Sequence, residues 1–173
     1  MTTGGVTPVD REALAGDLGR GGYLRGSFAY ADGNARHWFQ TELVLARPGV
    51  LDRCAELLRA HVDPQADRLA ARGPAAVAVA TALALRTDLT LLLEPEGQTG
   101  FAGDVFPGAR VILVEDVIMT GRHALASITA LRNGSMEVLR TLSVVDREAG
   151  GAFAVEAAGV PVTALFTERE LLP

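Results

Sequence analysis

The sequence contains no lysine; all sixteen of its basic residues are arginines. Chemistry that needs a lysine must therefore be absent, altered or supplied by another chain. Cysteine is almost as scarce. A lone Cys54 excludes an internal disulfide and points to a reducing, cytoplasmic setting, and its helix-like surroundings suit a small buried apolar residue. There is no basic cluster and the net charge is -5, which disfavours a nucleic-acid partner. No apolar run approaches a membrane span, so no membrane partner is expected, and MTTGGVTPVD lacks the basic-then-apolar pattern of a signal peptide. His37, His61 and Cys54 share no ligand spacing, which argues against zinc. What remains is a chain of 173 residues, 49% hydrophobic and 21% charged, long enough for one domain with a proper core.

Local patterns place the elements. Thr7, Pro8 and Asp10 read as N-cap, N1 and N3 of a first helix that ends near Gly19 to Gly22. Residues 24–30 and 36–43 form a hairpin about Asp32-Gly33. Val50, Leu51, Cys54, Leu57 and Leu58 recur at helical spacing and make 48–62 an amphipathic helix. Strands are predicted over 69–71, 89–93, 110–115, 136–145 and 162–166. Helices over 75–86, 121–132 and 152–158 alternate with them, and Asn133-Gly134 stops the second. Thr167 to Glu170 caps a last helical turn. Residues 94–108, with four glycines and two prolines, form a loop. The alternation implies an α/β fold: a mostly parallel twisted sheet with helices on both faces and a small N-terminal hairpin.

The chemistry concentrates in residues 111–124, VILVEDVIMTGRHA. Glu115 and Asp116 end the apolar run at the carboxyl edge of a parallel strand, where ligands of open α/β sheets sit. Thr120-Gly121 then opens a helix whose first N–H groups lack partners, which suits a phosphate. The residues alone leave two readings. Either an anion sits on the turn, with hydroxyls or Mg²⁺ on the acids, or Asp116 caps the turn and Glu115 faces solvent.

VEDVIMTG resembles the phosphoribosyl diphosphate (PRPP) motif of the type I phosphoribosyltransferases, and the order of lesser features resembles the orotate phosphoribosyltransferases over nearly the whole chain. Residues 24–28 with Gly33 resemble the family's N-terminal hairpin. Arg47-Pro48 opens the next helix. Gly73-Pro74-Ala75 stands where its pyrophosphate loop starts, and Pro107-Gly108 precedes the motif strand. Val145-Asp146-Arg147-Glu148 and Gly150-Gly151 follow the next strand. The resemblance implies the type I phosphoribosyltransferase fold in a single domain, with a hood over about residues 1–45 and a core over about 46–173. It implies transfer of phosphoribosyl from PRPP to a pyrimidine base, orotate, with release of pyrophosphate and with Mg²⁺ accompanying PRPP. Glu115 and Asp116 would then bind the ribose hydroxyls, with Asp116 a candidate metal ligand. Met119, Thr120, Gly121, Arg122, His123 and Ala124 would hold the 5′-phosphate. Arg147 would meet the base or its carboxylate. A homodimer is expected on the same ground.

The pattern breaks at the pyrophosphate end. After Ala76, Val77 and Ala78 stand where the family has a glycine pair, and their side chains restrict positive φ and close backbone approach. The family's loop with a catalytic lysine and histidine looks shortened here, and residues 87–109 hold no arginine, lysine or histidine but do hold Asp88, Glu94, Glu96 and Asp104. A like-charge contact at 4 Å costs about 4 kcal/mol at an effective dielectric near 20, so a pyrophosphate is expected to meet carboxylates there. The hairpin position of a family lysine falls near Ala35, with Arg36 as the candidate substitute. Arg122 either adds charge at the phosphate or points to solvent. His123 either touches phosphate or packs, and Trp38 either packs in the hairpin or stacks on a base. Arg147 either meets the base or pairs with Asp146. Three functional readings stand: an active phosphoribosyltransferase of pyrimidine metabolism, with a lysine-bearing paralogue supplying cations if needed; a catalytically weakened homologue that binds a nucleoside monophosphate as regulator or partner subunit; or a structural dimer partner with no ligand.

Overall fold

Residues 10–30, 33–95 and 100–172 are described in a computed structural model. The predicted cap Thr7-Pro8, the turn residue Asp32, the loop acid Glu96 and the side chain of Ala35 lie outside that description. Helix α1 spans Arg11–Gly22, and the Asp10 carboxylate accepts from the Ala13 amide at 3.0 Å. Asp10 is thus the N-cap and not the predicted N3, because its side chain reaches an otherwise unpaired first-turn donor. Strands β1 (Tyr23–Tyr30) and β2 (Gly33–Phe39) pair as an antiparallel hairpin. The second strand stops earlier than predicted. Thr41–Leu45 is instead a short helix, α2, because Thr41, Val44 and Leu45 are buried together, a spacing that puts them on one face of a helix but not of a strand. Helix α3 (Pro48–Arg59) follows with its proline in the first turn.

The remaining chain builds a five-stranded parallel sheet in the order β4-β3-β5-β6-β7. Its strands are β3 (Arg68–Ala71), β4 (Thr90–Leu93), β5 (Arg110–Ile118), β6 (Glu137–Asp146) and β7 (Val162–Thr167). Helices α4 (Pro74–Thr87), α5 (Arg122–Asn133) and α6 (Gly151–Ala157) connect them, and α7 (Glu168–Leu171) ends the fold with the expected Thr167/Glu170 capping box. Strand β5 is buried on both faces. Ile112 and Val114 join a core with Leu14, Leu18, Leu58, Val79 and Leu83, while Val111 and Leu113 join a second with Ala124, Ile128 and Leu131. Full burial of each such aliphatic side chain contributes about 1.5–3 kcal/mol, which is why the central strand reads as a continuous apolar run. Cys54 is fully buried in the first core, and burial pushes its thiol up to about 12. Among the described residues no helix is long and apolar enough to cross a membrane.

Strand β5 also runs beyond its predicted end at residue 115. On one side β3 pairs with it only as far as Val114, while on the other β6 stays in register to Ile118↔Asp146. Glu115 and Asp116 therefore lie inside a strand, held by β6, yet overhang the end of β3. That overhang opens them to the carboxyl edge of the sheet.

Candidate functional site

Two adjoining clefts line this edge. One of about 280 Å³ is bounded by Trp38, Phe39, Glu115, residues 117–124 and Arg147. The other, about 380 Å³, shares Trp38, Phe39, Glu115, Val117 and His123, and extends over Gln40, Thr41, Glu42, residues 72–75 and Asp116. The hairpin roofs both clefts through Trp38 and Phe39. Trp38 packs against Phe28 at 6.4 Å between ring centroids, and the Arg147 guanidinium lies 5.8 Å from its ring, so it serves the hairpin and the cleft together.

The two acids differ in environment. Glu115 is 4% exposed, and its Oε1 has no hydrogen-bond partner among the described residues. Burial first, and the neighbouring Asp116 second, push its carboxyl up to about 8, with Arg72 acting against both. Asp116 is also raised by burial, and the Thr41 hydroxyl donates to its Oδ2, opposing that rise. The reading in which Glu115 faces solvent and Asp116 caps the turn therefore fails: the first is buried and the second binds α2.

Next along the chain, Gly121 (φ 75°) N-caps α5 without a side-chain cap. The turn is seated by close backbone contact. The Gly151 amide donates to the Met119 carbonyl at 2.9 Å, and a Cβ on Gly151 would fall 2.5 Å from that oxygen. Arg122 and His123 are exposed and Ala124 is buried, so the α5 terminus presents first-turn amides and two basic side chains to the cleft.

Arg147 is 8% exposed. Its partner is Glu168, at 2.8 Å from Nε, and not Asp146, the alternative partner read from the sequence, whose Oδ1 accepts from the Glu148 amide. The Tyr23 hydroxyl donates to the same Glu168 oxygen, and Arg147 Nη2 reaches the His37 carbonyl at 3.4 Å. Arg36 stands exposed on β2.

At the pyrophosphate end the predicted helix forms, while the loop acids are placed otherwise than expected. Ala76, Val77 and Ala78 lie within α4, and Val77 packs against the core, so a helical turn replaces the glycine loop. The acids of residues 87–109 do not gather at the edge. Asp88 caps the far end of α4, before β4 begins, and Asp104 pairs with Arg68 at the start of β3. Both belong to the amino edge of the sheet. Glu94 alone of the described acids follows a strand end there, and it is paired with Arg72 at 2.5 Å. Sequence reasoning missed Arg72, although its place between a strand and Gly73-Pro74 was a local signal. It also missed Thr41, Tyr23 and Glu168, whose roles arise from contacts between distant segments.

No family model matches the sequence. The orotate phosphoribosyltransferase of Pyrococcus furiosus is 33% identical over 156 residues, covering 84% of this chain and 86% of that protein. The crystal structure of orotate phosphoribosyltransferase from Aeropyrum pernix superimposes with a TM-score of 0.79 at 26% identity, over 91% of this chain and 96% of the other. Leishmania donovani UMP synthase shares the fold (TM-score 0.84, 21% identity) over 94% of this chain, which spans 37% of that longer protein. The strand-borne acid pair, the glycine-seated turn and these relatives agree: the chain belongs to the orotate phosphoribosyltransferase family, with the type I phosphoribosyltransferase fold.

Proposed function

We propose that this protein binds PRPP and a pyrimidine base, orotate, at the carboxyl edge and joins them to a nucleoside monophosphate, releasing pyrophosphate. The single-domain reading, hood on core, is supported over the described residues by Leu14, Leu18 and Phe39 sharing a core with Ile112 and Leu142. The observation that carries the assignment is the buried, unpartnered Glu115 Oε1 in the groove between the α5 terminus and Arg72. A buried polar atom without a partner costs on the order of 1–3 kcal/mol, and a ribose hydroxyl donating to it removes that cost. Asp116, held by Thr41, takes the neighbouring hydroxyl. The amides of residues 122–124, with Thr120, His123 and Arg122, take the 5′-phosphate. Arg147 and Trp38 face the base.

In the reaction the base nitrogen bonds to ribose C1 as the bond from C1 to the pyrophosphate oxygen breaks; that oxygen keeps the electron pair, and the proton of the base N–H leaves to the pyrophosphate or to water. Positive charge grows on the sugar, and the ionised Asp116 and Glu115 stabilise it through the hydroxyls they bind. The hairpin keeps water from C1. For Mg²⁺ the fit is partial. No group of three His, Cys, Asp or Glu side chains that could hold a metal gathers among the described residues, but two carboxylates suit an ion that arrives on phosphates. Asp116 and Glu115 would hold it, and it would supply charge neutralisation.

A second reading, a weakened homologue that binds the monophosphate, is favoured by the helical turn at Ala76 to Ala78. Calorimetric titration of the purified chain with orotidine monophosphate, and turnover of orotate with PRPP and Mg²⁺, separate the two. Binding with turnover is the expected result. Binding without turnover selects the weakened homologue, and no binding of either ligand overturns the site. A homodimer and a cytoplasmic setting complete the proposal.

A further inference from the structure

The second cleft is acidic, with Glu42, Glu115 and Asp116 in its wall, yet in the PRPP reading above it is the cleft that takes the pyrophosphate leaving C1. Among its lining residues Arg72 is the single arginine. It stands at the end of β3, directly before Gly73 and the Pro74 that starts α4, so its side chain and the first free amides of a fourteen-residue helix share one wall. It is also within electrostatic reach of the ribose-side acid Glu115. Its side chain is 41% exposed, and among the described residues it is ion-paired with Glu94, through Nε at 2.5 Å. That pairing uses one edge of the guanidinium; the fork has five donors, enough to exchange one anion for another.

Resting on the PRPP reading above, we propose that Arg72 is the pyrophosphate-binding cation of this chain, held by Glu94 in the free protein and transferred to the diphosphate when PRPP binds. The lysine-free loop is then compensated from within the chain, by the residue that follows β3 instead of the loop after β4. A lysine-bearing partner is not required. Glu94 acts as a competitor: an incoming diphosphate with several negative charges displaces a single carboxylate.

Calorimetry on the full chain tests this with three probes: PRPP with Mg²⁺, inorganic pyrophosphate with Mg²⁺, and orotidine monophosphate. Arg72→Gln is expected to weaken the first two by about 10- to 100-fold, the scale of a lost charged hydrogen bond, and to leave the monophosphate within about twofold. Glu94→Gln is expected to tighten the first two by removing the competitor. Thermal midpoints establish that both variants are folded; if Arg72→Gln does not fold, Glu94→Gln decides alone. Unchanged pyrophosphate affinity in both variants, or an equal loss for all three probes, overturns the role of Arg72 while leaving the site assignment standing. Failure of the unsubstituted chain to bind any probe overturns the assignment and Arg72 together.

Discussion

Burial and the neighbouring Asp116 push the Glu115 carboxyl up to about 8 in the folded chain against an ordinary value of 4.5. Between those values the folded state keeps a proton that the unfolded chain has lost. The stability linked to this group is complete below pH 4.5 and declines as pH rises through about 8, by about 1.4 kcal/mol per pH unit at most. Asp67 works in the opposite window. Hydrogen bonds from Arg110 hold it at about 2 against 3.8, so its contribution is present above 3.8 and is lost as pH falls toward 2. Thermal midpoints are therefore expected to fall between about pH 5 and 8, and Glu115→Gln is expected to flatten that slope. An equal slope in the variant would place the titrating group elsewhere. A ribose hydroxyl on Oε1 favours the ionised carboxyl, so orotidine monophosphate binding at pH 7 is expected to release up to about one proton per site. Calorimetry in buffers of different ionisation enthalpy reads that release, and the glutamine variant is expected to show none.

The phosphate turn depends on two elements that touch through bare backbone. Adding a methyl at Gly151 places it 2.5 Å from the Met119 carbonyl and 2.6 Å from the Gly121 amide. Gly151→Ala is thus expected to push the α5 terminus off α6, costing about 1–3 kcal/mol of stability and at least tenfold in monophosphate affinity. Gly159→Ala is the control. Its φ of 80° is unfavourable for alanine but its surroundings are open, so it is expected to cost about 1 kcal/mol and leave affinity intact. Equal affinity losses in both variants would show that general destabilisation, and not the turn, is responsible. At this scale much was legible in the sequence. The Val111 to Val114 run marked a strand buried on both faces, Asn133-Gly134 marked the end of α5, and Thr167 with Glu170 marked the α7 cap, because each signal is local. The overhang of Glu115 was not legible, since it follows from the register that pairs Ala71, the end of β3, with Val114. Nor were the partners of Asp116 and Arg147, which lie 75 and 21 residues away in sequence. Counting acids along residues 87–109 misplaced Asp88 and Asp104, because a strand separates the two edges of a sheet that the sequence lists side by side.

The hood and the sheet meet at a half-buried clasp. Tyr23 opens β1, Arg147 follows β6 and Glu168 starts α7, and the first two converge on one carboxylate oxygen of the third. Burial and that carboxylate raise the Tyr23 hydroxyl above its ordinary range, so it stays a donor throughout the neutral region. In the free protein Glu168 is the counter-charge that Arg147 needs at 8% exposure. Removing it leaves a nearly buried cation, and Glu168→Ala is expected to cost on the order of 3 kcal/mol, the low end for breaking a buried pair. A base carrying a carboxylate can restore the missing charge. The same variant is then expected to gain more in thermal midpoint from orotidine monophosphate than the unsubstituted chain does, while uridine monophosphate, which lacks that carboxylate, gives no such excess. Both midpoints are read by scanning calorimetry at saturating ligand. Equal gains from the two nucleotides would remove Arg147 from base recognition and leave it as the clasp alone. The excess gain would show that one guanidinium holds the hood to the sheet and then exchanges that partner for the substrate. It would be the base-side counterpart of the exchange inferred for Arg72.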